Sequence, residues 1–255
     1  MCLILLALQQ HPSYKLILGA NRDEYYDRPS APPAFWNEAP GLLAGKDLRS
    51  GGTWLGITKK GRVAAVTNYR DPASTKKDAL SRGWLVRDFL LSSEDTVEYL
   101  RRVKQEGGKY NGFNLLVGVR EELYWYSNRT EEIVKLSPGL HGISNRLLDT
   151  PWPKVIHGKQ GISKILGKHA EVLPEPLFDL LQDRTKASDE ILPDTGVGIE
   201  WERVLSSIFI VSPTYGTRSS TLIFIDKKNQ IIFIDRTFNA HPEPISRRFD
   251  FVLDS

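Results

Sequence analysis

The sequence predicts an α+β fold built mainly from antiparallel sheets. Three observations carry this reading. Strand-like runs occupy both ends of the chain with helical spacing between them, and several pairs of runs are separated by turn chemistry that makes hairpins. The composition, 40% hydrophobic and 25% charged over 255 residues, is that of a globular protein able to bury a substantial core, and residues 1–255 read as one domain.

In order, "CLILLAL" and "YKLILGA" flank "QQHPS" and read as a hairpin. "TWLGI" and "RVAAVT" form a second, joined by "TKKG", in which Gly61 can take a positive φ. Residues 80–106 read as two helices, the second opening on a capping box formed by Ser92 and Asp95. "FNLLVGV" and "LYWYS" make a third hairpin, after which "VIHGKQGISKIL" and "PLFDLLQ" return to helical spacing. Residues 183–200 are polar with Gly and Pro and read as a surface excursion. The last third reads as strands "SIFIV", "STLIFID" and "IIFIDR", the latter two joined by "KKNQ".

Several function classes are excluded at this level. Basic residues fall as scattered pairs at 59, 76, 101, 227 and 247, with no stripe to follow a phosphate backbone, so no nucleic-acid partner is expected. No apolar run approaches the roughly 20 residues of a membrane span. "CLILLAL" lacks the basic flank and cleavage pattern of a secretory signal, which makes a cytoplasmic location the expectation. The five histidines have no zincin spacing, no phosphate-cradling loop or Gly-x-Ser-x-Gly elbow occurs, and no metal site is expected.

The only cysteine is Cys2. A lone thiol is ordinarily a buried structural residue. Here, however, it stands directly behind the initiator, and methionine is generally trimmed when residue 2 is small. A chain beginning at Cys2 carries its own base: an α-amine has a pKa of roughly 7.7–8, against roughly 8.5 for a thiol. One extra residue would turn that amine into an amide and abolish the chemistry. Downstream, "ANRDEYYDRP" places Asn21, Arg22, Asp23 and Glu24 just past the second strand. An arginine would favour the thiolate and a carboxylate would hold the amine, although a polar loop closing a hairpin reads the same way.

"MC", "LILGANRDEYYDRPS", "GGTWLGI", "GRVAAVTNYRDP", "YNGFNLL", "SNRLLDTPWPK" and "YGTRSSTLIFID", in this order from Met1 to about Asp235, resemble the NRDE-motif family, also called the transport and Golgi organisation protein 2 family. The resemblance implies the N-terminal nucleophile hydrolase fold, a four-layer αββα sandwich. It extends more weakly to cysteine amidases of the choloylglycine hydrolase and penicillin V acylase group, which cleave non-peptide C–N bonds. It implies Cys2 as nucleophile and base, Asp23 as the carboxylate on its amine, Asn68 and Asn145 as oxyanion and amine-orienting groups, and Arg218 as the late arginine near the nucleophile. Arg22 joins this catalytic set. The amidases carry arginine three residues before the aspartate, where this chain has Ala20. Neighbours on a strand point to opposite faces, so Arg22 and Asp23 need not reach the same group.

Asn21, Glu24, Trp54, Tyr69 and Trp152 lie in the same segments and are candidate contacts for a small acyl-amide or thioester substrate. Each residue has a plainer reading: Asn68 and Asn145 as turn or cap residues, the tryptophans as core, Arg218 as partner of a buried carboxylate, and Gly51 and Gly52 as a backbone requirement. The family resemblance also implies a second class of function, a non-catalytic carrier of haem or lipid and acyl groups. Such a carrier needs no resident cofactor, with Cys2 or His141 a candidate transient ligand to haem iron.

Overall fold

The computed structural model describes residues 3–167, 172–238 and 244–254. Its elements in chain order are β1 (Leu3–Leu8), β2 (Tyr14–Tyr25), β3 (Ser30–Trp36), β4 (Ala39–Asp47), β5 (Leu55–Thr58), β6 (Arg62–Asn68), α1 (Gly83–Leu91), α2 (Thr96–Glu106), β7 (Phe113–Val119), β8 (Glu122–Ser127), β9 (Ile133–Lys135), β10 (Gly139–Ile143), α3 (Pro153–Leu166), α4 (Pro174–Leu181), α5 (Ile199–Leu205), β11 (Tyr215–Asp226), β12 (Gln230–Thr237) and β13 (Ile245–Val252). The strands form two antiparallel sheets, ordered β10-β1-β2-β11-β12-β13 and β3-β4-β5-β6-β7-β8-β9. Helices α3 and α4 pack on the first sheet, and α1 and α2 on the second. The result is the expected αββα sandwich.

Strand periodicity divides the core among the layers. On β1, Ile4, Leu6 and Leu8 join the cluster between the sheets, whereas Leu3, Leu5 and Ala7 join the one beneath α3 and α4. On β2, Leu16, Leu18 and Ala20 face the other sheet, and Ile17 faces the helices. A third cluster holds Phe89, Tyr99 and Phe113 between the second sheet and its helices. All six residues of β1 are buried, which explains why it reads as an unbroken apolar run with no alternation.

The structure corrects the sequence reading at several places. Asn21, Arg22, Asp23 and Glu24 do not lie in a loop. Strand β2 continues to Tyr25 because β11 pairs with it along its whole length, placing Asn21 opposite Ser220 and Asp23 opposite Thr217. The segment "SIFIV" is no strand. Its backbone bonds irregularly, with Phe209 N–H donating to Asp183 O and Ile210 N–H to Thr217 Oγ1. Asp95 itself caps α2, accepting from the Val97 and Glu98 amides, while Ser92 closes α1. The hairpin of β3 and β4 escaped the sequence reading because "SAPPAFW" carries two prolines. It is an edge strand, where missing donors are tolerated, and its register slips across Pro32 and Pro33. Strand β13 closes the other sheet's edge with five of its eight residues exposed.

The paired glycines of "GGTWLGI" do meet a backbone requirement. Gly51 has φ of 69°, and a Cβ on Gly52 would stand 2.5 Å from the Gly83 carbonyl carbon. With Thr53 N–H donating to Gly83 O at 3.1 Å, this close approach fixes the N-terminus of α1 against the start of β5.

Between the sheets sits one fully buried acid, Asp235, held by the Thr221 and Thr237 hydroxyls at 2.7 and 2.8 Å. Burial pushes its pKa up to about 6, against the pull of those hydroxyls. A carboxyl raised in the folded state favours folding while it is protonated in both states, and loses that contribution as pH climbs from about 4 through about 6. Asp235→Asn is therefore expected to flatten the fall in stability over this window and to gain on the order of 3 kcal/mol at pH 7. Urea unfolding of both proteins from pH 4 to 8 checks it, and parallel curves would refute it.

Candidate functional site

The site is built where β1 enters the first sheet. Leu3 stands opposite Asn21, and Asp23 lies two residues farther along β2, in the direction from which β1 comes. Cys2, the expected nucleophile, lies outside the described residues. What can be described is the set of groups around the entry of β1.

Asp23 is 2% exposed and points to the helix side of the sheet. Its Oδ1 accepts from the Thr217 hydroxyl at 2.6 Å, across the bulge that interrupts the β2–β11 register. Its Oδ2 is buried with no hydrogen-bond partner among the described residues. A buried carboxylate oxygen without a donor is costly, so this atom marks a place where a donor belongs.

Arg22 points the other way, into the space between the sheets, as strand alternation requires. It is 5% exposed, stacks at 4.3 Å on the Trp54 ring, and its guanidinium has one hydrogen bond among the described residues, to Ser30 Oγ at 3.5 Å. Burial pushes the guanidinium below its ordinary pKa, with Glu24 opposing. No carboxylate lies within ion-pair distance of it among the described residues. Ala20, two residues earlier, belongs to the inter-sheet core, so Ala20 and Arg22 share one face.

Asn68 ends β6, and Asn145 follows β10. The Asn145 amide donates to Asn68 O at 3.0 Å and accepts from Arg70 Nη2 at 3.2 Å, while Arg70 N–H donates to Asn145 O at 2.8 Å. Asn145 is 4% exposed, and the Asn68 side chain makes no hydrogen bond among the described residues. Both line a cavity of about 550 Å³. Tyr69, between the Arg129 and Arg146 guanidinium groups, lines it too. Tyr25, Tyr215 and Trp201 supply an aromatic wall, each stacked edge-on against the next.

A second, more polar cavity of about 560 Å³ holds Arg22, Glu24 and Trp54 and meets the first at Asn68, Arg82 and Asn111. Arg218 donates to the carbonyls of Tyr25, Tyr26 and Arg28, fastening the turn after β2 rather than a buried carboxylate. Asn21 is fully buried: its amide donates to Leu181 O and Ile208 O at 2.8 Å each and accepts from Ser220 Oγ, and it lines neither large cavity. Trp152 caps α3 with Arg70 over its ring at 5.0 Å, and it too lies outside the walls of both cavities.

Sequence reasoning missed the ion pair behind Asn145. Arg70 Nη1 donates to Glu202 Oε2 at 2.6 Å, both side chains being buried, and Glu202 Oε1 accepts from the amide and hydroxyl of Thr195. Arg70 lay in a quoted motif, "VTNYRDP", but Glu202 sits 132 residues away in a stretch with no motif of its own. The polar excursion is thus more than a surface loop, since it brings Gly196 and Val197 to the cavity wall and leads into α5, whose Trp201 and Leu205 line the same wall while Glu202 is buried.

His141 has both ring nitrogens engaged, Nδ1 with Asp149 and Nε2 with Ser137 O, each at 2.9 Å. The Asp149 hydrogen bond raises its pKa. Among the described residues no group of three His, Cys, Asp or Glu side chains is placed to hold a metal, and no helix is long and apolar enough to cross a membrane.

The profile of the family described as "Transport and Golgi organisation 2" matches residues 1–240. The chain belongs to that family. Its human relative, "Transport and Golgi organization protein 2 homolog", is 36% identical over 279 residues, with all of both chains covered. The Bos taurus homolog is 38% identical over 93% of each chain, and the Drosophila melanogaster protein is 29% identical over 94% of this chain and 93% of its own. Two solved structures share the fold at low identity. The C2A mutant of conjugated bile acid hydrolase from Clostridium perfringens superposes with a TM-score of 0.56 at 12% identity, covering 98% of this chain and 92% of its own. The Caenorhabditis elegans ortholog of N-acylethanolamine-hydrolyzing acid amidase gives 0.51 at 11%, covering 87% and 92%. The family member described here therefore has the N-terminal nucleophile hydrolase fold.

Proposed function

We propose that this protein is an N-terminal cysteine amidohydrolase acting on a non-peptide amide, or a thioester, of a small acyl substrate. The observation that carries the reading is Asp23, a buried carboxylate with one oxygen held by Thr217 and the other without a described donor, beside the entry of β1. An α-amine at Cys2, freed by loss of Met1, is the donor such an oxygen requires.

In this mechanism the α-amine takes the thiol proton as Sγ attacks the substrate carbonyl carbon, forming the S–C bond. Arg22 favours the thiolate from the inter-sheet side, while Asp23 holds the amine from the helix side. The two therefore serve different groups from opposite faces of β2. Asn145, its amide oriented by Arg70, and Asn68 donate to the oxyanion. The C–N bond then breaks, with the amine's proton passing to the leaving nitrogen. Water, deprotonated by the same amine, attacks the thioester, releases the acid and returns the thiol. Tyr69 and the aromatic wall bind the acyl part, while Glu24 and Trp54 line the neighbouring cavity. No resident cofactor is needed.

The carrier alternative draws little support from His141, since binding iron would cost it a hydrogen bond to Asp149 or to Ser137 O. Intact mass, with brief iodoacetamide exposure from pH 5 to 9, tests the reading. The expected result is loss of Met1 and rapid single labelling at Cys2, with an apparent pKa at least one unit below the roughly 8.5 of a free thiol. Retained Met1, or a thiol inert until the protein unfolds, would overturn it and make haem titration the next experiment.

A further inference from the structure

Behind the segment that carries Asn145 lies a buried polar pair that the mechanism above does not use. Asn114 on β7 stands opposite Thr67 on β6, the two being 1% and 0% exposed. Ala65 and Leu116, two residues away on the same strands, belong to the inter-sheet core, so Thr67 and Asn114 face that side too. The Thr67 hydroxyl donates to Ser144 O at 2.6 Å. Asn114 Nδ2 donates to Arg146 O at 2.7 Å, to Thr67 Oγ1 at 3.1 Å and, at the longer distance of 3.4 Å, to Ser144 O. One buried pair thus holds the carbonyls on both sides of Asn145, while Asn145's own carbonyl accepts from Arg70 N–H.

The chemistry at this point admits one orientation. The proton of Thr67 is committed to Ser144 O, so Asn114 meets three acceptors and must turn its NH2 group toward them. Its Oδ1 is left buried with no partner among the described residues, at a cost an apolar side chain would avoid. An apolar side chain, however, would leave Arg146 O unbonded and the segment free to shift. What the pair secures is the orientation of the peptides flanking Asn145. From that backbone the Asn145 amide reaches Asn68 O and Arg70 at the wall of the 550 Å³ cavity.

We infer that Asn114, with Thr67, is a positioning residue for the proposed oxyanion site. It touches no substrate and acts by holding Asn145 in place. The rate effect rests on the hydrolase reading; the clamp on the segment does not. A misplacement of about 1 Å in such a group can cost on the order of 10²-fold in rate.

Two reactions of Cys2 separate positioning from stability. With p-nitrophenyl butyrate, Sγ bonds the ester carbonyl carbon, an oxyanion forms, and p-nitrophenolate leaves with the C–O electron pair. With iodoacetamide, Sγ displaces iodide and no oxyanion forms. Asn114→Ala is expected to slow acylation at least ten-fold, as is Asn145→Ala, and to leave alkylation within two-fold of the parent. The double variant should be no slower than Asn145→Ala alone, because the two residues act as a unit. Thr67→Val keeps the side-chain shape and should also slow acylation selectively, so it keeps the test decisive if Asn114→Ala does not fold. Tyr99→Phe is the control: it loses a buried hydrogen bond to Leu85 O on the helix side of the same sheet and should acylate normally. Unchanged acylation in the Asn114 and Thr67 variants, equal slowing of both reactions, or additive effects in the double variant would overturn the inference. If the parent protein is not acylated, the hydrolase reading fails and amide exchange by NMR decides the clamp. The Arg70 amide, bonded to Asn145 O, should then lose at least ten-fold in protection in Asn114→Ala and keep it in Tyr99→Phe. Unchanged protection in Asn114→Ala would overturn the clamp as well.

Discussion

Asp23→Asn is expected to destabilise the Met1-processed protein by about 3–5 kcal/mol, the range for breaking one partner of a buried charge pair. The substitution keeps the shape of the side chain and its acceptor for Thr217, so packing cannot account for a loss of that size. The alternative predicts the opposite sign. If no cation faces Oδ2, Asp23 buries a charge at a penalty, and its neutral isostere should be as stable or more so. Equilibrium urea unfolding gives the sign directly. An alanine inserted between Met1 and Cys2 completes a double-mutant cycle, because without an adjacent α-amine the Asp23→Asn effect should largely vanish. An undiminished effect in the insertion background would mean that Asp23 serves some other group.

Glu202→Ala is expected to cost about 3–5 kcal/mol as well, for a different reason. Removing Glu202 leaves the Arg70 guanidinium beneath Trp152 with only the Asn145 amide oxygen as a hydrogen-bond partner among the described residues, and releases both Thr195 donors. The exposed pairs of Arg203, with Glu200 on the same helix and with Asp189 in the preceding excursion, provide the contrast, and Glu200→Ala should leave the unfolding midpoint unchanged. Native-state hydrogen exchange gives a second readout. Residues 194–205 should lose protection in Glu202→Ala before the sheets do, since this pair ties the excursion to β6. Uniform loss of protection, or a change below about 1 kcal/mol, would show that the ion pair does not hold the cavity wall.

The two predictions also mark where sequence reasoning reaches its limit. Asp23 was legible because it sits in a motif near the chain start, yet its setting was misread. A run of Asn, Arg, Asp and Glu looks solvated, and only pairing with β11, almost 200 residues away, turns it into buried strand. Glu202 carried no signal at all, because an ion pair spanning 132 residues leaves no trace in local periodicity. The same applies to "SIFIV". Its apolar, β-branched composition suits a strand, but its backbone groups are taken by Asp183 and Thr217, and burial accounts for Ile208, Phe209 and Ile210.

By itself the sequence determined the α+β class and four hairpins, β1–β2, β5–β6, β7–β8 and β11–β12, because apolar strand runs and turn residues act over a few positions, whereas the four-layer order was an implication of the family resemblance. It also determined the position of the one thiol behind Met1 and the family to which the motifs belong. Tertiary structure decided which polar residues face which layer: Arg22 between the sheets, Asp23 toward the helices, Asn21 sealed beneath α4, and Arg218 fastened to a turn. It also decided that the two cavities meet at Asn68. Such facts depend on strand register and on contacts between distant segments, where a shift of one residue would exchange the faces of every side chain.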